Sequence, residues 1–230
     1  KSAATTPARA EAGKSIKSVM GDKSMETEGK IISGRKAKWY EFLQTLRGAY
    51  LVHKRMIGLM KPSCREGVLD VGCGTGTVLF LLSEKCGSSI KLNGIDPSED
   101  MIRIAKRKNG SRNSGIQFDV GIGEKLEFED NRFDLVVSSL TFHHLPIDVK
   151  RKTAQEIRRV LKPSGRIFVS DWGKPKNWLG RMISATVKRH AFTEENLQGL
   201  VGKILREVGF SSVETISVQF GIIEHITGVK

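Results

Sequence analysis

A chain of 230 residues, 39% hydrophobic and 27% charged, can bury the core of one α/β domain with little left for a second. No apolar run approaches the ~20 residues needed to span a bilayer, and no signal-peptide core opens the chain, so neither a membrane span nor secretion is expected. Cys64, Cys73 and Cys86 form no CxxC pair, which argues against a disulfide framework or a metal site, and the net charge of +13 draws anionic partners without choosing among them.

The cysteine usage fits a reducing compartment, and a cytoplasmic location is expected. Residues 1–34 are rich in Lys, Ala, Ser, Thr and Gly with no sustained hydrophobic period, and they read as a mobile tail. The chain does not open with methionine, so Met20 or Met25 is a candidate start. Residues 35–230 read as one domain. Trp39, Leu43, Leu46, Tyr50, Ile57 and Met60 recur at helical spacing, and Pro62 ends the run. His53 interrupts that stripe and reads as a buried, hydrogen-bonded core histidine.

Strands and helices then alternate. Strands are expected at 67–71, 90–95, 116–120, 133–139 and 166–170, with helices around 77–86, 99–108 and 149–161. A last helix starts at Thr193, an N-cap followed by Glu194 and Glu195 in the first turn, and runs to Gly209. Its stripe is Leu197, Leu200, Val201, Ile204, Leu205 and Val208. Two strand-like runs at 213–218 and 222–226, on either side of Gly221, predict a closing antiparallel hairpin. This alternation predicts a Rossmann-like, doubly wound, mostly parallel seven-stranded sheet with an N-terminal helical cover.

The stretch "VLDVGCGTGT" carries the first functional signal. Gly72, Gly74 and Gly76 follow the first strand, where a missing Cβ lets a ligand touch the main chain. Crevices beyond the carboxyl ends of such strands bind nucleotide-like ligands. The NAD fingerprint G-x-G-x-x-G needs glycine at position 77, where this chain has Thr77. Asp70 beside the loop suits a cationic ligand better than a pyrophosphate, and Asp96 ends the second strand, where a carboxylate can accept two ribose hydroxyls.

The G-x-G-x-G spacing after Asp70 resembles motif I of class I S-adenosylmethionine (SAM) dependent methyltransferases. "GIDPSEDMI", "FDLVVSSLTFHHLP" and "EIRRVLKPSGRIFVSDW" are similar to further motifs of that family, in order and at family spacing across 68–172. "FTEENLQGLVGKILREVGF" resembles the family's last segment. The pattern is closest to the small-molecule branch that includes the ubiquinone/menaquinone-biosynthesis methyltransferases. The resemblance implies a SAM site made by Asp70, Gly72, Cys73, Gly74 and Gly76, with Asp96 on the ribose beside Pro97, Met101 against the adenine, and Gly123, Glu124 and Ser138 completing it.

Two departures accompany the match. "GIGEKLEF" places Ile122 and Gly123 where family members commonly carry an aspartate near the adenine amino group, which leaves that contact to backbone or Glu124. "TFHHLP" stands where quinone methyltransferases show an Arg-Asn pair, so a quinone acceptor does not follow.

Methyl transfer from a sulfonium needs alignment first and a base only when the acceptor must lose a proton. His143 and His144 are the candidate catalytic residues, and lining of the cofactor pocket is their alternative role. Asp171 and Trp172, at the end of the fifth strand, are candidate acceptor contacts, and Trp39, Tyr40 and Tyr50 candidate walls of the acceptor cavity. His190 has no identifiable partner. Between residues 150 and 189, twelve Lys/Arg face two acids, Glu156 and Asp171. If that segment lines the cavity, the acceptor is anionic; if it forms an outer face, RNA or protein is the alternative substrate. A non-catalytic SAM-binding protein is the reading from another class.

Overall fold

The computed structural model describes residues 48–188 and 192–230. The tail expected over 1–34, the cavity walls Trp39 and Tyr40, and His190 lie outside the described residues. Helix α1 (Ala49–Met60) is the described part of the helix expected to end before Pro62. There follow β1 (Gly67–Val71), α2 (Thr77–Cys86), β2 (Lys91–Asp96), α3 (Glu99–Arg112), β3 (Gln117–Val120) and β4 (Phe133–Ser139). The chain continues through α4 (Ile147–Val160), β5 (Leu161–Trp172), α5 (Trp178–Val187), α6 (Thr193–Asn196), α7 (Leu200–Glu207), β6 (Ser211–Gln219) and β7 (Ile223–Val229).

The seven strands lie in the order β3-β2-β1-β4-β5-β7-β6. β1 through β5 pair in parallel, and β7 enters antiparallel between β5 and β6, closing the sheet with the expected hairpin. From β1 the chain winds outward through β2 and β3, then crosses back to β4 and β5 on the other side. The direction reverses between β1 and β4, which opens a crevice at the carboxyl end of β1.

Strand parity explains the two layers. Val68 on β1 and Leu135 and Val137 on β4 pack under α1, α2 and α3 with Met56, Leu79 and Ile102. Leu69 and Val71 on β1 and Val136 on β4 face the other way, against Ala154, Ile157 and Val160 of α4 and Ile204 and Leu205 of α7. A strand buried on both faces needs the continuous apolar run seen in β1, rather than an alternating one. α3 is fixed at its start by Ser98, whose hydroxyl accepts from Met101 N, with Glu99 and Asp100 in the first turn.

Two expectations change. The helix expected from Thr193 to Gly209 is broken into α6 and α7, because Gly199 takes a left-handed conformation (φ 78°) and restarts the chain at Leu200. Cys64 and Cys86, expected to stay unpaired, form a disulfide with their Cα atoms 5.0 Å apart. Sequence spacing held no sign of it, since the folded packing of α2 against α1 is what brings the end of α2 to the loop before β1. Closing a loop of this length restricts the unfolded chain by about 3 kcal/mol in the chain-entropy picture.

Candidate active site

The crevice beyond β1 is a cleft of about 980 Å³, its open mouth included. β1 delivers Asp70, the glycine loop follows it, and β2 brings Asp96 and Pro97 alongside. Met101 enters from α3, and the turn after β3 contributes Gly121 to Glu124. α1 closes one side with His53, α4 supplies Thr153, and the segment after β4 supplies Ser139, Leu140, Thr141, His144 and Leu145.

The three loop glycines divide the work. A Cβ on Gly72 would lie 2.4 Å from Thr141 side-chain atoms, and one on Gly76 would lie 2.6 Å from the Phe118 ring. Both positions also have positive φ, 78° and 83°, so their demand for glycine comes from packing and backbone together. A Cβ on Gly74 (φ 53°) would meet nothing within 4 Å among the described residues, so its bare face is open to a ligand. The loop is held by hydrogen bonds from Gly72 N and Cys73 N to Ile95 O, both 2.9 Å, and from Gly74 N to Asp96 Oδ2, also 2.9 Å.

Asp96 accepts a second backbone hydrogen bond from Ser98 N at Oδ1 (2.9 Å). Each of its oxygens keeps a further lone pair, so a pair of ribose hydroxyls can still be received. Burial pushes the Asp96 carboxyl up, and the bonds from Ser98 and Gly74 oppose the rise. Asp70 is fully buried, and burial together with the Asp96 charge pushes its pKa up to about 8. Buried Asp70 and half-buried Asp96 are neighbouring carboxylates and form a site that gains from a positive charge. The Cys73 thiol is driven well above its ordinary value by burial, then by Asp70 and Asp96, so it is an inert wall rather than a nucleophile.

Four buried polar atoms on the cleft wall have no hydrogen-bond partner among the described residues: His53 Nδ1, Asp70 Oδ1, Ser139 Oγ and Thr153 Oγ1. An unpaired buried polar group costs about 1–3 kcal/mol. Four of them converging on one cleft, with two carboxylates, fit a polar ligand carrying positive charge. His53 is thus buried as expected, with no Nδ1 partner among the described residues; burial lowers its pKa to about 4, so it faces the cleft as a neutral ring.

Of the residues expected from sequence, Asp70, Gly72, Cys73, Gly74, Asp96, Pro97, Met101, Gly123, Glu124 and His144 are brought together on the cleft wall. Ser138 is not: its hydroxyl is buried and donates to Val71 O (2.9 Å), tying β4 to β1, while Ser139 faces the cleft. Successive strand residues point to opposite faces, and "SS" gives no clue to which serine faces the ligand. Gly76 likewise sits behind the loop, under Phe118. Thr153 carried no signal in the sequence, because only the packing of α4 on the sheet brings it to the cleft.

His143 also lies off the cleft wall. Its Nδ1 is 2.7 Å from Asp171 Oδ1, and its backbone N donates to Asp171 Oδ2 (3.3 Å). The same carboxylate accepts from Trp172 N at 2.7 Å. Burial acts to raise the Asp171 pKa, but the attraction of His143 and these hydrogen bonds outweigh it and hold the carboxyl below its ordinary value. The His143 and His144 rings lie 3.9 Å apart, so the pair bridges from buried Asp171 to the cleft. Tyr50, expected as a cavity wall, is exposed on the outer side of α1.

Thr153 is the part of the basic segment that reaches the cleft, and no lysine or arginine lines it among the described residues. Its charges are largely spent on the fold. Lys150 is buried and donates to Phe192 O and Glu195 Oε2, both at 3.0 Å. Arg159 holds Glu156 and Asp130, Lys162 holds Asp134, and Arg166 holds Glu66. The described basic side chains of 150–189 thus lie away from the cleft, several of them in ion pairs that tie the fold together.

Residues 68–165 match a family model described as "Methyltransferase domain". The chain is 31% identical over 169 residues to a demethylmenaquinone methyltransferase of Lactococcus lactis subsp. lactis, covering 64% of this chain and 66% of that protein. It is 26% identical over 166 residues to phosphoethanolamine N-methyltransferase 1 of Triticum aestivum, covering 72% of this chain and about a third (32%) of that longer protein. The fold matches the crystal structure of a SAM-dependent methyltransferase from Aquifex aeolicus with a TM-score of 0.67 and 23% identity, over 84% of this chain and 97% of that one.

Proposed function

The chain belongs to the class I SAM-dependent methyltransferases, and on that premise we propose that it methylates a small molecule whose nucleophilic atom sheds a proton toward the His143–His144 pair. SAM is the cofactor, and when bound it supplies an electrophilic methyl carbon on a sulfonium sulfur. Small molecules are named as the substrates of both curated relatives, one a quinone precursor and the other phosphoethanolamine.

One observation carries the reading of the site: the unpartnered polar atoms, the Asp70–Asp96 pair and the bare face of Gly74 all line one cleft. In our reading, Gly74 N–H remains with Asp96 and its open side receives the main body of the cofactor. Asp96 accepts the ribose hydroxyls, and Asp70 faces the cationic portion. Met101 and the turn 121–124 hold the adenine. His53, Ser139 and Thr153 satisfy polar atoms that water would otherwise reach.

The acceptor enters from the side closed by α1 and the segment after β4. Its nucleophile lines up with the methyl carbon, and alignment of this kind contributes roughly 7–11 kcal/mol in well-oriented systems. His144 lines the cleft, and His143 behind it is held by Asp171. Asp171 is ionised and can only accept, so Nδ1 of His143 donates to it, and Nε2 is the ring nitrogen left to exchange a proton. The pair takes up the acceptor's proton as the new bond to carbon forms.

A labelled-methyl transfer screen over metabolite pools, with RNA and protein pools alongside, tests this reading. Label in a small-molecule fraction is expected. Label confined to RNA or protein would transfer the assignment to those substrates, and SAM binding without transfer to any pool would make the chain a binding protein.

A further inference from the structure

We propose that the outer faces of α1 and α5, joined by the β6–β7 turn, form a docking surface for an anionic lipid bilayer. α5 buries little of itself: Trp178 is 69% exposed and Met182 60%, with Leu179 also exposed, and Gly180 is its buried residue. Trp178 and Met182 are four residues apart, on one helical face, with Ala185 completing the stripe and Arg181 beside it. Leu51 (53%) and Tyr50 on α1 and Phe220 on the turn add exposed apolar area.

These elements share one surface. Lys176 N donates to Gly221 O (2.8 Å), and a Cβ on Gly180 would lie 2.1 Å from the same carbonyl, so α5 starts directly on the turn. The Phe220 ring comes within 3.6 Å of the Cβ position of Gly48, which precedes α1. Beneath the three elements Val52, Ile222 and Ile223 form a small core with Trp172 and Ile183. The exposed side chains above that core have nothing to cover them among the described residues.

Charge selects the partner. Lys54 on α1, over the Tyr50 ring, and Arg181 on α5 are exposed beside these apolar side chains, and the chain as a whole carries +13. An amphipathic helix with Trp and Met on one face and basic residues beside them is the form that lies in a membrane interface. Anionic headgroups attract each nearby Lys or Arg by about 1 kcal/mol. A second copy of this chain would bring like charges together. RNA would be read by stacking on planar groups and gains little from Met182, Leu179 and Leu51. The surface also adjoins the cleft, since His53 of α1 and Leu140, packed with that small core, both line it. A docked protein therefore holds its cleft mouth near the lipid surface, whichever acceptor the cleft takes.

Flotation of the full chain with phosphatidylcholine vesicles, with and without phosphatidylglycerol, tests the surface. Binding is expected with the anionic vesicles only, falling as salt is raised. Trp178→Ser combined with Met182→Ser should weaken it roughly tenfold or more through lost apolar burial. Arg181→Glu should weaken it by at least about fivefold, the effect of one basic charge near such a surface. Calorimetric SAM binding should be unchanged in both variants, which separates loss of docking from loss of fold. No binding to anionic vesicles, or binding untouched by these substitutions, overturns the proposal. So does protection of the patch by self-association in sedimentation, or RNA binding that these substitutions abolish in place of vesicle binding.

Discussion

Asp171 Oδ1 lies 2.7 Å from His143 Nδ1, and the two residues come from different elements: the end of β5 and the short turn after β4. The contact is buried on both sides. Because the carboxylate also accepts two backbone hydrogen bonds, from Trp172 and His143 themselves, it is oriented before any acceptor arrives. His143 Nδ1 is therefore held as the donor to Asp171, and the adjoining His144 ring carries the arrangement to the cleft wall.

His143→Ala should lower kcat by about 10²–10⁴-fold if the pair receives the acceptor's proton, the usual range for general acid–base catalysis. Asp171→Asn keeps the size of the side chain but loses its charge, so it should lower kcat and move the acidic limb of the kcat/KM profile while SAM affinity holds. Steady-state kinetics across pH, with calorimetry on each variant, would decide. An unaltered rate and pH profile in both variants would remove the proton-transfer role.

SAM affinity should rise with pH up to about 8. Burial, and then the charge of Asp96, raise the Asp70 pKa from 3.8 to about 8, so the folded protein without ligand keeps a proton that the unfolded chain releases. This contribution to folding stability is fully present below about pH 4 and is lost as pH rises through about 8. A cationic ligand favours ionised Asp70, so binding below pH 8 should release a proton. Calorimetry in buffers of different ionisation enthalpy would detect that release, and Asp70→Asn should abolish it. Asp96→Ala should weaken SAM binding severely at every pH; unchanged binding would dislodge Asp96 from the cofactor site.

The loop glycines should separate in their effects. Alanine at either Gly72 or Gly74 must hold a positive φ, at about 1–2 kcal/mol. At Gly72 the new methyl group also meets Thr141 at 2.4 Å, adding overpacking of about 1–3 kcal/mol. Gly72→Ala should therefore lose more stability in urea denaturation than Gly74→Ala, and Thr141→Gly in the same chain should restore part of it. Gly74→Ala places its methyl group in the cleft and should chiefly weaken SAM binding. Equal destabilisation with equal affinity would refute this division.

Much of the fold was legible because the strands and helices between 67 and 172 carry their periods openly. The apolar run at 67–71 reads as a strand and the segment around 99–108 as a helix, and both form there. The break at Gly199 was less visible, since one apolar stripe runs through both α6 and α7 and a single glycine is tolerated in many helices. The Cys64–Cys86 pair was misread because cysteines separated by 22 positions say nothing of their distance in space.

The sequence by itself determined the chemistry-bearing loop. Asp70, the spaced glycines and Asp96 are local signals, set by how closely a ligand can approach backbone at the end of a parallel strand. Tertiary structure decided which neighbours join them. Strand parity turned Ser139 rather than Ser138 to the cleft, helix packing brought in His53 and Thr153, and the β4–β5 pairing set Asp171 behind His143. Those choices depend on contacts between residues far apart in the chain, whose side-chain directions are fixed only when the sheet and its two helical layers come together.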